Sequence, residues 1–321
     1  MVPLRHLRGL LLCCAVALVP SVHAEAPVVG GQAPGFYRIM VGEFEVTALS
    51  DGTNPMPATT LLNGDPGKVA TLLRENFLGE RVETSHNSYL INTGKELVLI
   101  DAGAGALLSP QTGDLLHNLC AAGYRPEQVD EVYLTHLHPD HVGGLVTDGK
   151  RTFTHAMVRL DKREMDFWLS EARMRAAPES MKRFFEGAMV SLRPYVAAQK
   201  VKPFDGSVPL IPGITSQSLY GHTPGHTGFS IESNGERLLL WGDIIHVAAV
   251  QFEDPSVTIA YDVDAGSARG ERRRMLADAA QQGYLIGGAH VPFPGIGHVR
   301  TDGDGRFTFL PVVYTTLKFP R

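Results

Sequence analysis

Apolar residues recur along this chain in short blocks rather than in one sustained period. Residues 88–91 and 97–100 are two such blocks, set on either side of Asn92-Thr93-Gly94-Lys95, which predicts a hairpin. Helical spacing over residues 114–122 stops at Gly123. Residues 132–134 then form a short strand that runs straight into a histidine-rich turn. Helical spacing returns over 161–170 and 180–195, between two groups of histidines, in the place of an inserted lid or wall. Strands resume at 216–219, 229–232 and 238–241, with Asn234-Gly235 as the turn between the last two. A charged helix over 271–282 precedes a strand at 284–286, and 307–314 reads as a closing strand pair or edge. Strands interleaved with helices in this order predict a layered α/β sandwich. No repeat of fixed period, low-complexity tract or charge block interrupts it.

The first residues follow a different rule. Arg5 and Arg8 precede an apolar run over 9–19, then Pro20 and the small-residue end Val22-His23-Ala24. That is the form of a secretory signal peptide over 1–24, cleaved near Ala24, and it predicts a periplasmic or secreted protein. Eleven apolar residues are too few to cross a hydrocarbon core, so no membrane insertion is expected. Leu12 before Cys13 argues against lipoprotein processing. Residues 25–35, rich in Gly, Pro and Ala, read as an extended arm, and the fold is expected over 36–321, with 161–195 as a helical insertion walling the pocket.

Cleavage changes the charge and the thiol count. Loss of Arg5 and Arg8 leaves 27 basic residues against 34 acidic ones, a formal charge of −7 in place of −5. Such a surface is unsuited to nucleic acid. Cys13 and Cys14 leave with the leader, so Cys120 is the one remaining thiol and no internal disulfide can form. About 297 residues, in a chain 44% hydrophobic, suit one large domain.

Thr135-His136-Leu137-His138-Pro139-Asp140-His141 carries the strongest chemical signal: four metal-competent side chains within six residues at a strand end. In extended chain, residues two apart point the same way, so His136 and His138 can grip one ion while the turn after Pro139 sends Asp140 and His141 to a second. The bland alternative is a polar loop of solvated histidines. Against it stand three further candidates at strand ends: His226 in Gly221-His222-Thr223-Pro224-Gly225-His226, Asp243 after residues 238–241, and His290 after 284–286. The expected set is two divalent ions. One is held by His136, His138 and His226, the other by Asp140, His141 and His290, and Asp243 bridges them. Imidazole and carboxylate without thiolate suit zinc first, with manganese, cobalt or iron also compatible.

This order of motifs resembles the metallo-β-lactamase superfamily: an Asp after an early strand, HxHxDH, a Pro-Gly-His, a bridging Asp and a last His. The resemblance implies the αβ/βα four-layer sandwich of that family. It also implies that Asp101, in Val98-Leu99-Ile100-Asp101-Ala102-Gly103, orients a ligand histidine. Phe36-Tyr37-Arg38-Ile39, Leu49-Ser50-Asp51-Gly52-Thr53-Asn54-Pro55, Ala249-Val250-Gln251-Phe252 and residues 290–298 extend the likeness to the methyl parathion hydrolase branch. With it come a homodimer and small-molecule esters, lactones or phosphotriesters as substrates.

The expected reaction is hydrolysis by a hydroxide held between the two ions, with Asp140 and Asp243 fixing the metals and no covalent intermediate. Trp168, Phe184 and Phe185 lie on the predicted insertion, where they serve either as a wall for an aryl leaving group or as ordinary helix core. The resemblance moves Trp168 and Phe185 toward the pocket. Leu108 stands where parathion-degrading members would place an aromatic wall residue, which argues against strong phosphotriester cleavage. Acyl-homoserine lactonases with similar motifs place a tyrosine three residues after the bridging aspartate; here that position is His246. It reads either as a donor to the developing oxyanion or as a neutral, partly buried histidine. His222 reads as a structural residue or one supporting a ligand, His298 as turn or surface, and His86, His117 and His155 as ordinary residues. A β-lactamase would carry Cys or Ser at position 243, and a glyoxalase II-like thioesterase a basic cluster. The alternative of another class is a periplasmic metal- or ligand-binding protein without turnover.

Overall fold

A computed structural model describes residues 26–28 and 30–317; the predicted leader over 1–24 lies outside the described residues. The chain from Pro34 onward forms one compact unit. Its first half builds a six-stranded sheet from β1 (Phe36–Val41), β2 (Phe44–Pro57), β3 (Arg81–Asn92), β4 (Leu97–Ile100), β5 (Glu131–Tyr133) and β6 (Met157–Arg159), in that spatial order. The second half builds a seven-stranded sheet from β7 (Pro209–Ile211), β8 (Ile214–Ser218), β9 (Thr227–Ser233), β10 (Glu236–Leu240), β11 (Leu285–Gly287), β12 (Ile296–Gly303) and β13 (Arg306–Pro311), again in order. Pairing is antiparallel except at β4–β5, β5–β6 and β10–β11, which are parallel.

Alternation along single strands explains the layers. In Leu97-Val98-Leu99-Ile100, Val98 and Ile100 enter the core between the sheets while Leu97 and Leu99 enter the core on the outer face. In the second sheet Leu238 and Leu240 point inward and Leu239 and Trp241 outward. A strand buried on both sides reads as an unbroken apolar run, which is why these blocks carry no polar alternation. Helices cover both outer faces: α1 (Leu115–Ala121) and α4 (Glu179–Ala197) contribute Leu119 and Leu192 to one, and α5 (Ala265–Gln282) contributes Met275 and Leu276 to the other. The result is the four-layer αβ/βα sandwich.

The insertion, α5, β2 and β3 differ from the sequence expectation. The insertion holds three helices, not two: α2 (Lys162–Trp168), α3 (Glu171–Ala176) and α4. Ser170 restarts the chain by accepting the Arg173 N–H, a cap that ends one helix and opens the next. The charged helix α5 begins at Ala265, because Asp264 caps Ser267 and packing against the sheet overrides Gly266 and Gly270. Strands β2 and β3 are 14 and 12 residues long, their pattern hidden by Asp51, His86 and Asn87, which are polar yet buried. His298 lies exposed within β12, at the surface as one of its two readings expected, though in a strand and not a turn. No helix among the described residues is long and apolar enough to cross a membrane.

Candidate metal centre

The parallel pairs β4–β5 and β10–β11 end at one rim of the sandwich, and the chain continues from those ends into four residues of the centre's floor. Asp101 follows β4, His136 follows β5, Asp243 follows β10 and His290 follows β11. After His138 the chain turns into a single helical turn, Pro139–Val142, with Pro139 at its first position. That turn swings Asp140 and His141 away from the line of His136 and His138. Gly143 behind it has no room for a Cβ, which would lie 1.8 Å from the Ala104 carbonyl oxygen. Gly242 has φ +55°, and a Cβ there would meet His226 Nε2 at 2.6 Å, so a glycine alone lets Asp243 approach.

Three groups result, two of which share Asp243. His136, His138, His222 and Asp243 bring one ligand atom each within 4.8 Å of one another, and so do His141, Asp243 and His290. His222 Nε2 lies 3.1 Å from His138 Nδ1 and 3.3 Å from Asp243 Oδ2. His141 Nε2 is 3.2 Å from Asp243 Oδ1 and 3.6 Å from Asp140 Oδ2; His290 Nε2 is 3.2 Å from Asp243 Oδ2 and 3.4 Å from Asp140 Oδ2. Ligand bonds of roughly 2.0–2.2 Å at tetrahedral to octahedral angles place donors roughly 3.0–3.5 Å apart. The spacing is that of a coordination shell.

The far side of each ring is held. His141 Nδ1–H donates to Asp101 Oδ2 at 2.8 Å, and His290 Nδ1–H donates to the Ser85 carbonyl at 2.9 Å. His222 Nδ1–H donates to Asp262 Oδ1 at 2.8 Å. Each bond fixes a tautomer with Nε2 bare and aimed inward. Asp101 also accepts the Thr135 N–H and hydroxyl, bonds that hold its backbone at a positive φ of 59°.

Electrostatics agree with the donor set. His136 Nε2, His141 Nε2 and Asp243 Oδ1 are buried without a hydrogen-bond partner. Burial pushes His136 and His138 well below the ordinary imidazole range. Burial would raise Asp243, but His290, His141 and His136 outweigh it and hold the carboxyl far below its usual range. Burial would likewise lower His222, yet Asp243 and Asp262 lift it to about 9. Burial would lower His141 and His290 too, yet Asp243 and Asp140 raise both, so without a cation these rings hold protons against the buried carboxylates where divalent cations would sit, and the residues present fit such ions.

The geometry corrects four sequence expectations. His226 is in none of the groups: its Nδ1–H donates to the Leu219 carbonyl and its Nε2 accepts the Asp243 N–H, both at 3.0 Å. With both nitrogens used by backbone, and burial lowering it to about 3, it is a neutral strut; it is His222, four residues earlier, whose nitrogen joins the donor group. Trp168, fully buried, packs behind His138 and donates Nε1–H to Glu164, and Phe185 faces the helix core, so neither lines the pocket. Adjacent helical positions diverge by about 100°, and Phe184 takes the pocket side. His86 is no ordinary residue, since its Nδ1 lies 3.2 Å from Asp140 Oδ2. Asp262 and Glu164 carried no visible signal, being distant in sequence from every motif; the carboxylate of Glu164 accepts the Leu137 and Gly225 N–H groups and ties the two histidine segments together.

Over this floor opens a cavity of about 410 Å³. Leu107, Leu108, Phe184, Val190 and Met56 form an apolar wall, and Leu108 is 40% exposed there. His246 lines it too, 3.2 Å from Asp243 Oδ2, with neither ring nitrogen hydrogen-bonded and with burial lowering it to about 4.

Comparison with known proteins places this geometry. The family model described as the metallo-β-lactamase superfamily matches residues 81–305. A search of curated proteins finds no match. Among solved structures, the hydrolase AbOPH of the β-lactamase superfamily is 36% identical, covers 89% of this chain and 100% of its own, and superposes with a TM-score of 0.84. AidC, a dizinc quorum-quenching lactonase solved with the product N-hexanoyl-L-homoserine, is 28% identical over 88% of this chain and 99% of its own, with a TM-score of 0.81. A probable metal-dependent hydrolase from Staphylococcus aureus, 23% identical over 86% of this chain and 100% of its own, shares the fold at a TM-score of 0.68. With the motif order, the rim geometry and the matched model in agreement, the chain belongs to the metallo-β-lactamase superfamily, as a metal-dependent hydrolase.

Proposed function

We propose that the protein is a dinuclear hydrolase that opens lactones and cleaves aryl esters. The observation that carries this reading is the pair of overlapping donor groups, sharing Asp243, at the floor of a cavity with an apolar wall. His136, His138 and His222 would hold one divalent cation, Asp140, His141 and His290 the other, and Asp243 both. Zinc is the first choice for this nitrogen-rich set. Bound there, such cations supply Lewis-acid polarisation of a carbonyl and acidification of a water. The chain's own part is to hold and to exclude. Asp101, Asp262 and the Ser85 carbonyl fix ring tautomers, so no reorganisation is needed during reaction. Leu107, Leu108, Phe184 and Val190 receive an acyl or aryl group and strip water from it. Neutral His246 faces the same space and can hydrogen-bond the substrate oxygen as charge builds there.

The likeness to a lactonase supports lactones as the first class to test. Leu108, aliphatic and half exposed, offers no aromatic face to a phosphotriester's leaving group. We also propose export, from the leader-like segment, and a homodimer. The deciding assay purifies the protein with zinc, cobalt or manganese and ranks kcat/KM over lactones, aryl esters, phosphotriesters and β-lactams. Lactones and aryl esters should lead; β-lactams or phosphotriesters at the top would reject the proposed substrate class, and no turnover at all would leave a binding protein.

A further inference from the structure

We propose that His86 is a ligand of the second cation, alongside Asp140 and His290, in addition to the set the motifs supply; this rests on the two-cation reading above. Strand β3 carries His86 to the rim, where it is buried at 6% exposure. Its Nε2 lies 2.7 Å from Asn54 Oδ1, an acceptor, so the proton sits on Nε2 and Nδ1 is left with a lone pair. That Nδ1 has no hydrogen-bond partner and lies 3.2 Å from Asp140 Oδ2, itself an acceptor. With the ring neutral, two bare acceptors this close repel unless a cation sits against both. The distance equals the donor spacings across the rest of the centre. His86, Asp140 and His290 also form a mutual group within 4.8 Å, joined to the second site through His290. His246 makes a similar single approach to Asp243 but joins no such group, which separates a ligand from a neighbour.

Asn54 has the role that Asp101 and Asp262 have for other rings: it sets the tautomer. A further nitrogen would fill one coordination position, hold the second ion more tightly, and restrict the positions open to substrate.

Zinc titrations against a chelating dye test this in wild type, His86→Leu and His86→Asn. Asparagine can place its Oδ1 near the position of Nδ1; leucine fills the space without a donor. Wild type should bind two equivalents. His86→Leu should lose affinity for one of the two by roughly tenfold to a hundredfold, and His86→Asn should regain most of it. A cobalt-loaded sample should show the same pattern in its visible absorption, changed in the leucine variant and restored toward wild type in the asparagine variant. Unchanged binding of both equivalents in His86→Leu overturns the assignment. So does an equal weakening of both equivalents in the two variants, which marks a packing role, or a third wild-type equivalent lost on substitution, which marks a separate ion. A wild type binding fewer than two equivalents overturns the two-cation reading, and the His86 assignment with it.

Discussion

A single residue shows how far this centre depends on atoms that touch no substrate. Asp262 accepts the Nδ1–H of His222 at 2.8 Å and is thereby the group that presents His222 Nε2 to the first site. Replacing Asp262 with Ala should lower zinc affinity at one site by roughly tenfold to a hundredfold, read by the same dye competition. Equal affinity in the variant would remove Asp262 from the account. Glu164 makes a different prediction. Burial, opposed by hydrogen bonds from Gly225, Leu137 and Trp168, lifts its carboxyl from 4.5 to about 7. The folded state therefore keeps a proton that the unfolded chain has released between those pH values. The associated stability is present in full below about pH 4.5 and is lost as pH rises to about 7. Urea unfolding of the zinc-loaded protein should show a decline in wild type, relative to Glu164→Gln, on the order of 3 kcal/mol across that window. Parallel curves for the two proteins would contradict a protonated Glu164.

Helix α4 shows at the scale of an element why one stretch can serve both core and pocket. Its 19 residues put Phe185, Ala188, Leu192 and Tyr195 into the core over the first sheet, while Phe184, Gly187 and Val190 face the cavity. Truncating Leu192, which is fully buried, should cost about 2–5 kcal/mol by denaturant unfolding. Truncating Val190, 49% exposed two residues away, should cost within about 0.5 kcal/mol and act on KM instead. If the two substitutions destabilise equally, α4 is not oriented as described. The strand ends work by the opposite rule: they contribute little area but fix direction, since each parallel strand stops at the rim and hands one side chain to the centre.

For the whole molecule, the cations are expected to be part of the fold's stability as well as its chemistry, because five imidazoles and two carboxylates from both halves of the chain meet there. Dialysis against dipicolinate should abolish turnover and lower Tm, and zinc should restore both. Full turnover in a verified metal-free sample would contradict the hydrolytic scheme.

The sequence by itself determined the layered α/β architecture and the chemistry of the centre. Short unbroken apolar blocks specify strands buried on both faces, and four metal-competent side chains within six residues specify a turn with little other use. Tertiary structure alone decided which histidine of Gly221-His222-Thr223-Pro224-Gly225-His226 faces the cations. Both positions carry the same imidazole, and only the placement of Leu219, Asp243 and Asp262 ties one to backbone and turns the other's Nε2 into the donor group. It also decided that Phe184 rather than Phe185 or Trp168 meets the pocket, and that His86 reaches Asp140 across 54 residues of chain. Local pattern encodes the direction of a side chain relative to its own strand or helix. What that side chain meets is set by elements distant in sequence, and no local period records them.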